Sequence, residues 1–189
     1  MKSYSVYFVR NTNIELVTSI FSIVDILPDS EWLMCNFNKD DYPPDDDVLW
    51  GTVSMTIDKS VLLGEVLFLY GDTSCDGFVY EHAVNGKMLR KLVWFPMLDD
   101  DWTAGWLYVT GNSEEWESQL FHERQFIQYL EQEQARLEDL GLVDQLGAIA
   151  QEIKEAWEKK QIIAGKTFPP CDGTVPLLVE EYYKIHRPK

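Results

Sequence analysis

The sequence predicts an α+β domain in which an antiparallel sheet from the first part of the chain is covered on one face by helices from the last part. Three observations carry this expectation. Strand-like aromatic and β-branched runs come first and apolar repeats at steps of three and four come last, the order of α+β rather than alternating α/β chains. Asn85-Gly86 stands between two strand-like runs, Phe78 to Val84 and Lys87 to Phe95, and supplies the two positive-φ residues of a type I′ hairpin turn. Residues 113–163 read as two long amphipathic helices joined near Gly141, an αα-hairpin.

The elements follow in order. Tyr4 to Val9 is a strand that ends in the polar turn Arg10 to Asn13. Ile14, Val17, Phe21, Val24 and Leu27 recur at the helical period, which predicts one helix stopped by Pro28. Trp32 to Phe37 is a second strand, and Asn38 to Asp47, with Pro43-Pro44, is a loop. Residues 50–63 fit neither period. Glu65 to Tyr70 is a strand, and an unbroken two-residue hairpin after it sets Glu81 opposite Arg90 and Val79 opposite Leu92. Trp106 to Val109 adds another strand. Asn112 is placed to cap the next helix with Glu115, and Trp116, Leu120, Ile127, Leu130 and Leu137 mark its apolar face. Leu142, Leu146, Ile149, Ile153 and Trp157 mark the second helix, with Gly165 as terminator. Val175 to Val179 and the segment to His186 predict a last helical turn or two. The whole reads as a single domain, sheet-rich over 1–110 and helical over 111–165, with a short tail over 166–189.

With 46% hydrophobic and 13% aromatic residues the chain has ample material for a core. The net charge of −16 and pI near 4.4 argue against nucleic acid and anionic membrane surfaces, which reward clustered Lys and Arg. They suit a basic protein partner. Residues 1–110 hold 17 acids and 7 bases and the remainder 15 and 9, so neither half is an acidic tail. Cys35, Cys75 and Cys171 show no C-x-x-C pair, which predicts free thiols rather than disulfides or zinc. The N-terminal residues lack a signal-peptide core and no run is long enough to span a membrane, so the expected location is the cytoplasm.

No nucleotide-binding glycine motif, nucleophile elbow or zinc-protease helix occurs, and no cofactor is expected. His82, His122 and His186 fall on a strand, a helix and the tail, without ligand spacing. Asp45, Asp46 and Asp47 read as a solvated loop, and Tyr70 to Gly77, which holds Cys75, as a polar connection. The most distinctive stretch runs from Trp94 to Trp106, where Asp99, Asp100 and Asp101 are bracketed by tryptophans. Indole rings supply contact area and carboxylates supply charge selectivity, so Trp94, Asp99, Asp100, Asp101, Trp102 and Trp106 are the candidate binding residues.

Residues 64–121 carry Gly-Glu-Val-Leu-Phe-Leu-Tyr-Gly-Asp-Thr-Ser, Phe-Val-Tyr-Glu-His, Asn-Gly-Lys-Met-Leu-Arg-Lys-Leu-Val-Trp-Phe-Pro and Leu-Asp-Asp-Asp-Trp. This third of the chain resembles small bacterial proteins of cyanobacterial type that have no assigned activity, and the resemblance brings no catalytic residue with it. The sequence therefore points to a non-enzymatic acidic binding or accessory protein, an inhibitor or immunity-type partner of a basic protein. Its rival is a metal-assisted hydrolase in which Asp99, Asp100 or Asp101 holds Mg²⁺ and activates water. Self-association, if it occurs, is expected through helices 113–163.

Overall fold

The computed structural model describes residues 3–10, 13–39, 41–72, 77–96 and 104–186. Seven strands, β1 (Ser3–Arg10), β2 (Val24–Ile26), β3 (Leu33–Lys39), β4 (Glu65–Asp72), β5 (Phe78–Val84), β6 (Lys87–Pro96) and β7 (Ala104–Gly111), form one sheet in the order β2-β3-β1-β4-β5-β6-β7. Every neighbouring pair is antiparallel. The helices are α1 (Ile14–Ile20), α2 (Asp46–Leu49), α3 (Ile57–Leu63), α4 (Glu123–Asp139), α5 (Leu146–Lys159) and α6 (Val175–Tyr182), with a 3-10 turn at Glu115–Leu120. This is the α+β class that the order of elements predicts. Among the described residues no helix is long and apolar enough to cross a membrane.

Both faces of the sheet are covered, not one. Side chains alternate along a strand, so Val6, Phe8, Leu67, Tyr80 and Trp94 face one side while Tyr7, Val9, Phe68, Val79 and Val93 face the other. A sheet whose central strands are apolar on both faces needs two covers. The C-terminal half supplies the first, through Trp116, Phe121, Ile153, Phe168 and Val179. The short helices of the N-terminal half supply the second, through Val17, Phe21, Leu49 and Leu63. Full burial of one such side chain contributes about 1.5–3 kcal/mol, so the large rings of Trp106, Trp116 and Phe8 dominate the first core. At the β7 edge the returning chain pairs with Trp106: its N–H donates to Lys166 at 2.9 Å, and Gly165 donates to its carbonyl at 2.8 Å.

Several boundaries differ from expectation. The helix predicted over 14–27 stops at Ile20, and Val24–Ile26 becomes an edge strand on β3. Asn36 is responsible: its side chain accepts from Ile23 N–H at 3.0 Å and its own N–H donates to Ile23 carbonyl at 2.9 Å, which pulls a β-branched segment onto the sheet. The undecided residues 50–63 include α3, and the predicted loop 38–47 includes the start of α2. The helix expected from residue 113 begins as a 3-10 turn whose capping pair is Glu114 with Glu117, not Asn112 with Glu115. Lys160 in the left-handed conformation, rather than Gly165, ends α5.

The hairpin register also moves. Val84 faces Lys87 and Ala83 faces Met88 as an unbroken turn requires, but a bulge at Leu89 shifts the rest by one. Glu81 therefore faces Lys91 rather than Arg90, and Val79 faces Val93 rather than Leu92. The bulge is held from β7. Gly111 has φ +83°, and a Cβ there would lie 1.9 Å from the Leu89 carbonyl oxygen, so glycine admits the close approach that the bulged strand makes.

Candidate functional site

The bulge sorts the charges of the hairpin between the two faces of the sheet. His82 and Arg90 meet the C-terminal cover, while Glu81 and Lys91 meet the N-terminal one. Each of these buried groups finds a partner. Arg90 forks onto Glu117, with Nε to Oε1 at 2.8 Å and a terminal nitrogen to Oε2 at 2.6 Å, and its remaining nitrogen donates to the Thr110 and Gly111 carbonyls at 3.2 and 3.0 Å. On the opposite face Lys91 Nζ lies 2.9 Å from Glu81 Oε1, outside hydrogen-bond alignment, so the contact is chiefly Coulombic. Glu81 Oε2 accepts from Ser54 Oγ, Met55 N–H, Thr56 N–H and Thr56 Oγ1 at 2.8–3.1 Å, which sets a carboxylate at the start of α3.

The densest constellation surrounds His82. Its Nδ1 lies 2.6 Å from Glu114 Oε1 and its Nε2 lies 3.1 Å from Glu65 Oε1. The other Glu114 oxygen accepts from Tyr80 Oη at 2.5 Å, Trp116 Nε1 at 2.8 Å and Tyr183 Oη at 3.0 Å. Tyr183 Oη also stands 3.1 Å from Nδ1 and 3.1 Å from Tyr80 Oη. Burial opposes charging the imidazole, but hydrogen bonds to Glu114 and Glu65 outweigh it and raise the pKa to about 9. The hydrogen bond with His82 holds Glu65 below the ordinary carboxylate range. Burial works against the ionised Glu114 carboxylate, yet the bonds from His82 and Tyr80 bring it below that range too. Burial, with Glu114 beside them, pushes the phenols of Tyr80 and Tyr183 well above theirs.

Such a cluster resembles an acid–base site in composition but not in availability. Both ring nitrogens and both oxygens of Glu114 are taken by the chain itself, whereas a general base needs a free position within hydrogen-bond reach of a substrate proton. The cluster joins β4, β5, the 3-10 turn and the residue after α6. Sequence gives little sign of it: Glu65, Glu114 and Tyr183 lie 17, 32 and 101 residues from His82. Alternation along β5 could have put His82 and Tyr80 on one face, but nothing local names their partners.

The residues singled out from sequence fall elsewhere. Asp99, Asp100, Asp101 and Trp102 lie outside the described residues, as does Cys75. Trp94 and Trp106 are core, their rings 5.1 Å apart in an edge-to-face pair, and the Trp106 indole donates to the Pro169 carbonyl at 2.8 Å. Cys35 and Cys171 are buried, and burial raises the Cys35 thiol to about 12. His122 and His186 are exposed and apart from the cluster. Asp45, Asp46 and Asp47 sit exposed at the start of α2. Among the described residues no group of three or more His, Cys, Asp or Glu side chains is arranged to hold a metal ion.

An open region lies on the N-terminal cover. Counting by halves hides how the charge is placed: residues 11–58 hold ten acids and one base, Lys39. This segment forms α1, β2, β3 and α2. Next to this segment a groove of about 410 Å³ opens beside β1 and β3, with Tyr7, Asn36, Asp41, Tyr42 and Phe68 in its walls. A β3 bulge at Asn36, φ +46°, lies in the wall, where Ser5 faces Asn38 but Tyr7 faces Cys35. Tyr42 is 86% exposed. No protein-family model, curated protein or solved structure matches the chain.

Proposed function

We propose that this chain is a non-catalytic binding protein, accessory or inhibitory, that engages a basic protein through its acid-rich N-terminal layer. The observation that carries the reading is the contrast in valence. The buried charges around His82, Arg90 and Lys91 are consumed by partners within the chain, and the open groove combines the exposed ring of Tyr42 with the carboxylate of Asp41. Complementary charge raises the rate of encounter and selects among partners, and an aromatic anchor supplies affinity. A net charge of −16 gives such a surface long reach at low ionic strength.

The test is capture of the partner in its native cell by reversible cross-linking, identification by mass spectrometry, and reconstitution from the two purified proteins. The expected partner is basic, and its affinity falls steeply as salt rises. A reconstituted complex with a neutral or acidic partner, or one indifferent to salt, overturns the reading.

A further inference from the structure

Resting on that reading, we infer that the groove beside β1 and β3 is an arginine-recognition pocket, with Asp41 as the counter-ion and Tyr42 as the stacking surface. Its volume, about 410 Å³, lies in the range of side-chain and small-ligand sites, about 300–1,000 Å³. Asp41 is held for the task. Its Oδ1 accepts from Tyr42 N–H at 3.0 Å, its Oδ2 accepts from the Ser5 hydroxyl, and its backbone carbonyl accepts from Ser3 Oγ at 2.7 Å. Among the described residues no cation pairs with it, so an aligned carboxylate keeps lone pairs toward an incoming donor. Among the described lining residues Asp41 is the one carboxylate, and the segment that carries it, residues 11–58, holds ten acids to one base, a balance that favours cationic over anionic ligands.

Arginine fits better than lysine. A guanidinium is planar, stacks on aromatic faces and forks onto a carboxylate, while an ammonium is a hydrated point charge. Asn38 and the Ser22 oxygen add neutral acceptors to the wall for its remaining N–H donors, while Asn36 Oδ1 is already engaged by Ile23 N–H and the Ser22 hydroxyl. The chain's own Lys59 marks how this environment treats cations: Nζ lies 4.9 Å over the Tyr7 ring while donating to Met55 carbonyl at 3.0 Å. With that face of Tyr7 occupied, the solvent-facing ring of Tyr42 is left for the incoming group.

The experiment titrates isotope-labelled full chain with a capped Gly-Gly-Arg-Gly-Gly peptide, its lysine counterpart and its neutral citrulline counterpart, and follows backbone amide shifts. The arginine peptide is expected to move Ser5, Asn36, Asn38, Asp41 and Tyr42, the lysine peptide to bind more weakly, and the citrulline peptide not at all. Tyr42→Ala should weaken arginine binding about two- to fivefold, and Asp41→Asn, which keeps an acceptor for Tyr42 N–H, about tenfold. Glu131→Gln with Glu138→Gln on α4 should leave it unchanged. Equal binding of citrulline, shifts elsewhere or none, or an equal loss in the α4 variant overturns the pocket. Because Tyr42 points into solvent, its variant keeps the test open even if Asp41→Asn disturbs folding. If a basic partner binds with salt dependence and ignores both groove variants, the pocket fails and the broader reading stands. A neutral or acidic partner instead marks failure of that reading itself.

Discussion

The two charged regions of the molecule are built on opposite terms. Around His82 and Arg90 every donor meets an acceptor from the same chain, in a setting where an unpaired charge is costly. Around Asp41 and Tyr42 the acids have few internal counter-ions and the ring stands in water. The difference teaches that a dense set of histidine, carboxylates and phenols marks structure when its valences are closed, and that a functional surface is better sought where chemistry is left unfinished.

That comparison breaks most sharply at Arg90. Arg90→Ala strands Glu117, which is 1% exposed, and is expected to cost about 3–5 kcal/mol in urea unfolding. A loss below about 1 kcal/mol would mean that the closed region does not hold the fold. Gly111→Ala comes next. Its Cβ meets the Leu89 carbonyl at a distance that no side chain tolerates, and the positive φ adds strain, so the expected loss is about 3 kcal/mol. Retained stability would show that the bulge relaxes without glycine.

A pH titration sharpens the same contrast. His82 has a folded pKa raised from 6.5 to about 9, so its contribution is full below pH 6.5 and is lost as pH rises toward 9. Wild type should lose on the order of 2–3 kcal/mol across that window, whereas His82→Gln should be nearly flat there. Glu65 and Glu114 act with the opposite sign: their folded pKa values are depressed, so their contribution is present above the ordinary carboxylate range and is lost as acid protonates them. The smallest effect belongs to the open region. Tyr42→Ala should change stability by no more than about 0.5 kcal/mol while changing binding, and a larger loss would make the ring part of the fold.

How much of this was legible in the sequence depends on the range of the cause. Asn85-Gly86 announces the hairpin because turn chemistry is local. The register beyond it is not local, because the bulge at Leu89 depends on Gly111, and the one-residue slip decides which charges share a face. The period from Ile14 to Leu27 continues past the true end of α1 because Val24 is apolar for another reason, its place on β3. The tryptophans at 94 and 106 are conspicuous, but large rings on paired strands can as well be core, and packing decides the matter. Asp41 and Tyr42 read as loop because their walls come from β1 and β3, more than thirty residues away for Ser5.

The pairing of Trp106 with residues 165–166 has a consequence for how copies of the chain meet. A sheet grows into fibres when an outer strand offers a long row of free backbone donors and acceptors. Here one margin is fastened at Trp106, the third residue of β7, by the protein's own returning chain, and the other, β2, is three residues long. Both margins thus present a shortened row of backbone groups, which lowers the tendency of successive molecules to stack strand upon strand at high concentration.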